Sequence, residues 1–318
     1  MARPRPLRNL RRARPRAAGS AGGSAGTHYD ARFIDAASRA ELIDWLGHLH
    51  PLWEERYSAR NPPPPGQEHR RLLRPVYWLG NWQFARLDYY RPPHGVLDRC
   101  VRAEPFPPVL ARLVAEIEKL ARGHYRGEDL PRAWHLNTCL VNFYGSRIED
   151  GERKDTARVG EHKDFEPGPV ASLSLGERAL FQFVRSSRPG ERDEVVLQQW
   201  LDDGSLQIFG GARWKKDLFH RVQRVDKRDG HQFDLRVTDF ETRRINLTLR
   251  YVPDEHVVPY SALSTPAAED VREYMKELAR HSPFFAQELA AAEAAGKRRE
   301  PGAAAALEQP GRLKSPQA

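Results

Sequence analysis

At 318 residues, 40% of them hydrophobic and 30% charged, the chain is long enough for one large or two small globular domains. No run of about 18 apolar residues occurs, which excludes a helical membrane span, and the two cysteines, Cys100 and Cys139, exclude a disulfide framework and a Cys-rich zinc site. The net charge of +8 is no nucleic-acid signature either, because seven arginines stand in residues 1–16 without an acid, while residues 17–265 carry 36 basic and 35 acidic side chains. Only residues 210–250, with eleven Arg or Lys against six acids, are locally basic.

Residues 1–27 and 297–318 are low-complexity and hold too few large apolar side chains to offset the entropy of ordering, so both are expected to be disordered tails. The stretch Ala17 to Gly26 is Ala, Gly and Ser rather than an apolar segment, which argues against a secretory signal, although a transit peptide would share the Arg-rich start. Free cysteines suit a reducing compartment, and a cytoplasmic monomer without membrane contact is expected. A first helix is predicted from about Ser38 to His48, with Ser38 and Glu41 as a capping box and Leu42, Trp45, Leu46 and Leu49 at helical spacing.

Asn61 to Gly66 breaks regular structure. Pro75 to Tyr90 then predicts short aromatic strands, with Trp78, Trp82 and Phe84 as core residues. A second helix is predicted from Pro107 to Gly123 along the stripe Leu110, Leu113, Val114, Ile117 and Leu120.

From Leu136 to Tyr251 the pattern changes to short alternating runs between turn residues, which predicts a sandwich or jelly roll. Expected strands are Asn137–Tyr144, Pro169–Leu175, Leu180–Val184, Val195–Trp200, Leu206–Phe209, Phe219–Val225 and Arg243–Tyr251, with Asp203-Gly204 as a hairpin turn. A further helix is expected to start at Thr265-Pro266 as N-cap and N1. The expected fold is mainly β with flanking helices (α+β). It divides into 28–265 (28–135 N-terminal helices and a substrate lid, 136–253 the jelly-roll core) and a helical extension over 266–296.

Chemistry is concentrated on three strands. In Arg243–Tyr251, Arg244, Asn246, Thr248 and Arg250 share one face and Ile245, Leu247, Leu249 and Tyr251 the other. An ordinary amphipathic edge strand would read the same way. Asn142 and Tyr144 repeat the pattern opposite Val141 and Phe143, so two polar faces predict one interior polar cavity. His162-Lys163-Asp164 sets an imidazole and a carboxylate on the same side of an extended segment, and His220 follows in a later strand; two His and one carboxylate are the donor set of a non-haem Fe(II) oxygenase.

The ordered set Leu140-Val-Asn-Phe-Tyr144, His162-Lys-Asp164, Pro169 to Gly176, Phe209-Gly-Gly211, His220 and Arg244-Ile-Asn-Leu-Thr-Leu-Arg250 resembles the AlkB-like family of Fe(II)- and 2-oxoglutarate-dependent dioxygenases. The resemblance implies a double-stranded β-helix, with His162, Asp164 and His220 as metal and catalytic residues. It also implies that Asn142, Tyr144, Arg244, Asn246 and Arg250 line the 2-oxoglutarate site, with O2 as the second co-substrate. The arginine fork suits the carboxylates of 2-oxoglutarate. Oxidation of an N-alkyl carbon would then yield succinate, CO2, formaldehyde and a free nitrogen. Family members that repair alkylated bases, in the context of DNA damage, commonly carry an acid two positions after the ligand aspartate, where Glu166 stands as a candidate acceptor for the exocyclic amine of adenine or cytosine; an exposed loop acid beside Pro167-Gly168 is the alternative. Tyr89 and Tyr90 are candidate stacking partners for a flipped base, and Arg224, Lys227, Arg228 and Arg236 are candidate phosphate contacts or a solvated loop. Alkylated nucleic acid is the expected partner. A 2-oxoglutarate oxygenase acting on a protein or small molecule is the alternative, and a non-catalytic binding module is a third reading.

Overall fold

Strands whose side chains alternate have one apolar face to bury, and this chain covers that face with helices and turns the polar face toward a second sheet. The computed structural model describes residues 25–58, 62–68, 71–87, 100–156, 158–185, 193–223, 233 and 239–299. In chain order the elements are β1 (Thr27–Asp30), α1 (Ala36–Gly47), β2 (Val76–Leu79), β3 (Asn81–Trp82), β4 (Cys100–Arg102), α2 (Pro108–His124), β5 (Thr138–Glu149), β6 (Glu152–Asp155) and β7 (Val159–His162). They continue with β8 (Val170–Gly176), β9 (Ala179–Arg185), β10 (Glu194–Leu201), β11 (Ser205–Phe209), β12 (Phe219–Gln223), β13 (Phe240–Arg250), β14 (Val257–Val258), α3 (Thr265–Ala279) and α4 (Pro283–Arg299).

The larger sheet runs β1-β11-β8-β13-β5-β2, with β6 attached to β5; the smaller runs β10-β9-β12-β7; β14, β4 and β3 form a third. The pairing within the two main sheets is antiparallel throughout, so the architecture is a strand-rich jelly roll with flanking helices, as expected. Register sorts the faces of the larger sheet. Ile245, Leu247 and Leu249 lie opposite Phe143, Val141 and Cys139 on β5 and opposite Leu175, Leu173 and Ala171 on β8, and all are buried. This apolar face belongs to one contiguous core with Leu42 and Leu46 of α1, Leu110 and Ile117 of α2, and Val271 and Met275 of α3. The other face pairs Asn246 with Asn142 and Ser174, and Arg244 with Tyr144, and it looks toward the smaller sheet; between the two sheets lies a second apolar cluster that joins Phe181 and Phe183 of β9 to Phe209 of β11 and Trp214.

β13 is irregular between Thr242 and Arg244, which releases Arg243 from the alternation. Arg243 donates to Glu177, Ser146 and Asp155, so a buried cation is met by two carboxylates and a hydroxyl. Gly145 sits against this irregularity: a Cβ there would lie 1.7 Å from the Glu241 carbonyl oxygen, and only glycine lets the two backbones approach.

Several boundaries differ from the sequence expectations. The cap of α1 is Asp35, whose carboxylate accepts from the Ser38 amide (2.9 Å) and hydroxyl (3.0 Å), so Ser38 is the capped residue and the expected Ser38–Glu41 box does not form. Asp203-Gly204 is a tight turn with Gly204 at φ +76°, but β10 and β11 belong to different sheets, so it carries the chain between layers and closes no hairpin. Ser264 takes the N-cap position of α3, one residue before the expected Thr265. β1 begins at Thr27 and α4 ends at Arg299, so both expected tails are shorter than 1–27 and 297–318 at their inner ends. The remainder of both tails lies outside the described residues.

The C-terminal helices are part of the core rather than an appendage. Phe285 of α4 is fully buried, edge-on to Tyr77 at 6.4 Å and to Trp82 at 5.8 Å. Replacing Phe285 with Ala should therefore lower the stability of the whole chain by about 3–5 kcal/mol, seen as an earlier single transition in urea monitored by tryptophan fluorescence; an unmoved main transition would mean that the helices fold apart.

Candidate active site

β7 and β12 pair in antiparallel register with His162 opposite His220, which brings the two imidazole centroids to 4.2 Å. The turn after β7 swings Asp164 under them, with its Oδ2 3.4 Å from His220 Nε2. One donor atom from each of His162, Asp164 and His220 lies within 4.8 Å of the others. Asp164 and His220 are buried and His162 is half-buried. Phe181 of β9, stacked at 5.5 Å and 19°, and Phe209 of β11 at 5.2 Å hold the His220 ring between the two sheets.

Protonation in this cluster favours a cation ligand set. Burial first, and then the neighbouring His220, push His162 down to about 4 against the opposing pull of Asp164, so the ring is neutral near pH 7. Its Nδ1 lies 2.9 Å from the Gly160 carbonyl, which selects the tautomer with a proton on Nδ1 and a lone pair on Nε2. Burial disfavours an ionised Asp164, but Arg250 outweighs it, with help from His220, and holds the carboxyl well below the usual carboxylate range. Arg250 Nε (3.0 Å) and Nη2 (2.9 Å) both donate to Oδ1 and leave Oδ2 on the histidine side. Two imidazoles, one of them held neutral by burial, and one carboxylate oxygen fit Fe(II).

The expected polar residues Asn142, Tyr144, Arg244, Asn246 and Arg250 all line the same cleft as the three ligand candidates, a narrow space of about 60 Å³. Their side chains are not equivalent. Asn246 donates to Ser172 Oγ (2.7 Å) and the Leu173 carbonyl (2.9 Å) and accepts from Thr248 (2.9 Å), so it braces β8 against β13. Arg244 gives Nη2 to Ser174 (3.1 Å), while its Nε and Nη1 are buried without a partner among the described residues. Buried guanidinium donors of this kind call for an anion.

Arg74, just before β2, is a cleft residue that sequence reasoning missed. Its Nε donates to Asn142 Oδ1 (2.7 Å), and its guanidinium lies 5.0 Å from the centre of the Tyr144 ring, with Arg244 also against that ring at 4.8 Å. It had no legible signal, because nothing in Leu72 to Pro75 shows that this segment folds over β5.

Glu166 is not an exposed loop acid. It is buried, Oε1 accepts from Gln83 (3.1 Å) and lies 3.6 Å from Arg250 Nε, and Oε2 has no partner among the described residues. The turn that carries it is clasped by Lys215, whose ammonium donates to the carbonyls of Glu166 and Gly168. Lys215 lies in a π-helical turn, Arg213–Asp217, and burial pushes its pKa down. Beside this turn a second opening of about 610 Å³ reaches Asp164 and Glu166 and is bordered by Lys163, Lys216 and Phe165, whose ring is 39% exposed. Tyr89, Tyr90, Arg224, Lys227, Arg228 and Arg236 lie outside the described residues.

Residues 26–250 match the family model of the 2OG-Fe(II) oxygenase superfamily. The chain belongs to this superfamily. It is accordingly a dioxygenase that uses Fe(II), 2-oxoglutarate and O2, and the His162–Asp164–His220 cluster is chemically suited to iron. Among solved structures the chain is similar to that of OsALKBH1, at 20% identity and a TM-score of 0.43 over 72% of this chain and 100% of that one. It is also similar to the non-haem α-ketoglutarate-dependent epimerase SnoN from nogalamycin biosynthesis, at 13% identity and a TM-score of 0.36 over 71% and 78%. A third likeness is to YcfD, a ribosomal oxygenase from Escherichia coli, at 13% identity and a TM-score of 0.28 over 81% and 62%. No curated protein matches the chain.

In this superfamily member the Lys215 clasp holds the turn that follows the iron-ligand candidate Asp164. Replacing Lys215 with Met removes two charge-assisted hydrogen bonds, each worth about 1.5–3 kcal/mol. The amides of residues 163–166 and 168 should then exchange faster with deuterium while the strands β5 and β13 stay protected; unchanged exchange in the turn would remove this role from Lys215.

Proposed function

We propose that the chain is an AlkB-like dioxygenase that removes alkyl groups oxidatively from N-alkylated bases of DNA or RNA. The observation that carries this reading is the convergence in one cleft of His162, Asp164 and His220 with the unpartnered donors of Arg244. His162, Asp164 and His220 would hold Fe(II). Bound there, the iron supplies oxidation by O2 coupled to the decarboxylation of 2-oxoglutarate to succinate.

The protein's own groups do the rest. Arg244, with Arg74 beside it, receives the remote carboxylate of 2-oxoglutarate, and Tyr144 lies between the two cations as a π-face. Asn142 and Asn246 set the spacing of β5, β13 and β8 behind it. Arg250 keeps Asp164 ionised and oriented. The substrate enters by the opening beside the 163–168 turn, where Phe165 offers a ring for stacking, Lys163 and Lys216 offer positive charge, and the free Oε2 of Glu166 accepts from an exocyclic amine. An N-methyl hydroxylated there breaks its C–N bond, the nitrogen recovers its proton, and formaldehyde leaves. The surroundings of DNA repair and the cytoplasm fit this reading, as does a monomer whose site is complete within one chain.

Two measurements test the assignment. Asp164→Ala should abolish iron retention and succinate formation. Arg244→Ala should raise the 2-oxoglutarate KM by a loss of about 2–5 kcal/mol in binding, and Arg74→Ala should move it the same way by less. Wild-type-like decarboxylation in Asp164→Ala, or an unmoved KM in Arg244→Ala, would overturn it.

The substrate is tested by mass spectrometry of methylated oligonucleotides incubated with enzyme, Fe(II), ascorbate and 2-oxoglutarate. Loss of 14 Da per methyl, as expected for demethylation chemistry on the order of one carbon, should appear together with formaldehyde. Glu166→Gln should alter which base is accepted and leave substrate-free succinate formation near wild type. Succinate production with no methylated base consumed would keep the dioxygenase and move its substrate to a protein or metabolite.

A further inference from the structure

We propose that His50, Glu277 and His281 form a second transition-metal site that staples the end of α1 to the end of α3. His50 follows α1 by three residues, and Glu277 and His281 stand one turn apart at the end of α3, so residues 227 positions apart in the chain converge. Their candidate donor atoms lie within 4.8 Å of one another. Both imidazole Nε2 atoms point at one oxygen, Glu277 Oε1, at 2.9 Å from His50 and 3.5 Å from His281. The second carboxylate oxygen is occupied by Arg280 Nη1 at 2.5 Å, which fixes the carboxylate's orientation and leaves Oε1 to the histidines.

Two imidazoles and one carboxylate suit a borderline divalent ion such as Zn²⁺, Ni²⁺ or Cu²⁺ and do not suit the oxygen-seeking Mg²⁺ and Ca²⁺. The rings lie face to face, with 3.6 Å between centroids and 13° between planes. A cation shared by both Nε2 lone pairs lies in both ring planes, so binding turns His281 out of the stack; its side chain is 44% exposed and has room to turn. With three protein ligands and solvent for the remaining position, the site is an exchangeable staple. It spans the N-terminal helix and the helical pair whose Met275 and Phe285 enter the core.

The donor set is the same as that of His162, Asp164 and His220, so the test must separate the two clusters. Zinc retained by the full-length chain after equilibrium dialysis at micromolar free Zn²⁺ should be two equivalents in the wild type. It should be one in His50→Ala, His281→Ala, Asp164→Ala and His162→Ala, and none in the double variants Asp164→Ala/His281→Ala and His162→Ala/His281→Ala. Thermal unfolding should report the same difference, with zinc raising the Tm of His162→Ala but not of His162→Ala/His281→Ala. His281→Ala loaded with Fe(II) should keep its succinate formation. Unchanged zinc content in both His50→Ala and His281→Ala would overturn the site, as would loss of all zinc in both Asp164→Ala and His162→Ala, the second variant guarding against a misfolded first one.

Discussion

The contact on which the rest of the site depends is the fork of Arg250 on one oxygen of Asp164. A carboxylate as buried as Asp164 would be expensive to keep ionised without a permanent cation against it. Arg250 supplies that cation from β13 in the larger sheet, whereas Asp164 belongs to the turn leaving the smaller sheet. One interaction thus joins the two layers at the cleft and chooses which carboxylate oxygen faces the histidines. Glu166 adds a second negative charge close to the same guanidinium, and Lys215 ties down the backbone between them.

Charge in the cleft is unbalanced without its ligands. Arg250 is answered by Asp164 and Glu166, but Arg244 and Arg74 crowd one tyrosine ring with no carboxylate hydrogen-bonded to either among the described pairs. Burial pushes the Arg244 pKa down, Tyr144 resists this and Arg74 adds to it. On the proposed function, a dianion such as 2-oxoglutarate would relieve that excess at one end and offer its oxo-acid end to the ligand cluster.

Much of this was legible because strand alternation is a strict rule. Arg244, Asn246, Thr248 and Arg250 had to share a face, and the ladder places that face toward the second sheet. His162 and Asp164 were legible as a pair by spacing, and His220 by the resemblance of the whole ordered set. What stayed hidden depends on contacts between distant segments. Arg74 enters the cleft because the strand after it pairs with β5. Glu166 was legible as a candidate base contact, but Pro167-Gly168 left a solvated acid equally open, and its burial depends on Gln83, from the aromatic segment more than eighty positions earlier, which donates to it. Asp203-Gly204 had the right chemistry for a turn, but turn chemistry does not say which strands the turn joins.

The aromatic segment illustrates how one stretch can serve both core and site. Trp78 and Trp82 are buried, and Phe84 stacks on Trp82 at 4.5 Å, which is the expected core role. Gln83, between Trp82 and Phe84, is held by that packing with its amide against Glu166 and its Oε1 buried without a partner among the described residues. Side chains at 82 and 84 anchor the backbone so that position 83 faces the catalytic turn. Because Phe285 of α4 packs on Trp82, the C-terminal helices contribute to the same anchoring. The position of Glu166 relative to Asp164 and Arg250 therefore rests on packing that extends from the cleft to the last described helix, which is a physical reason for this oxygenase core and its helical pair to fold as one unit.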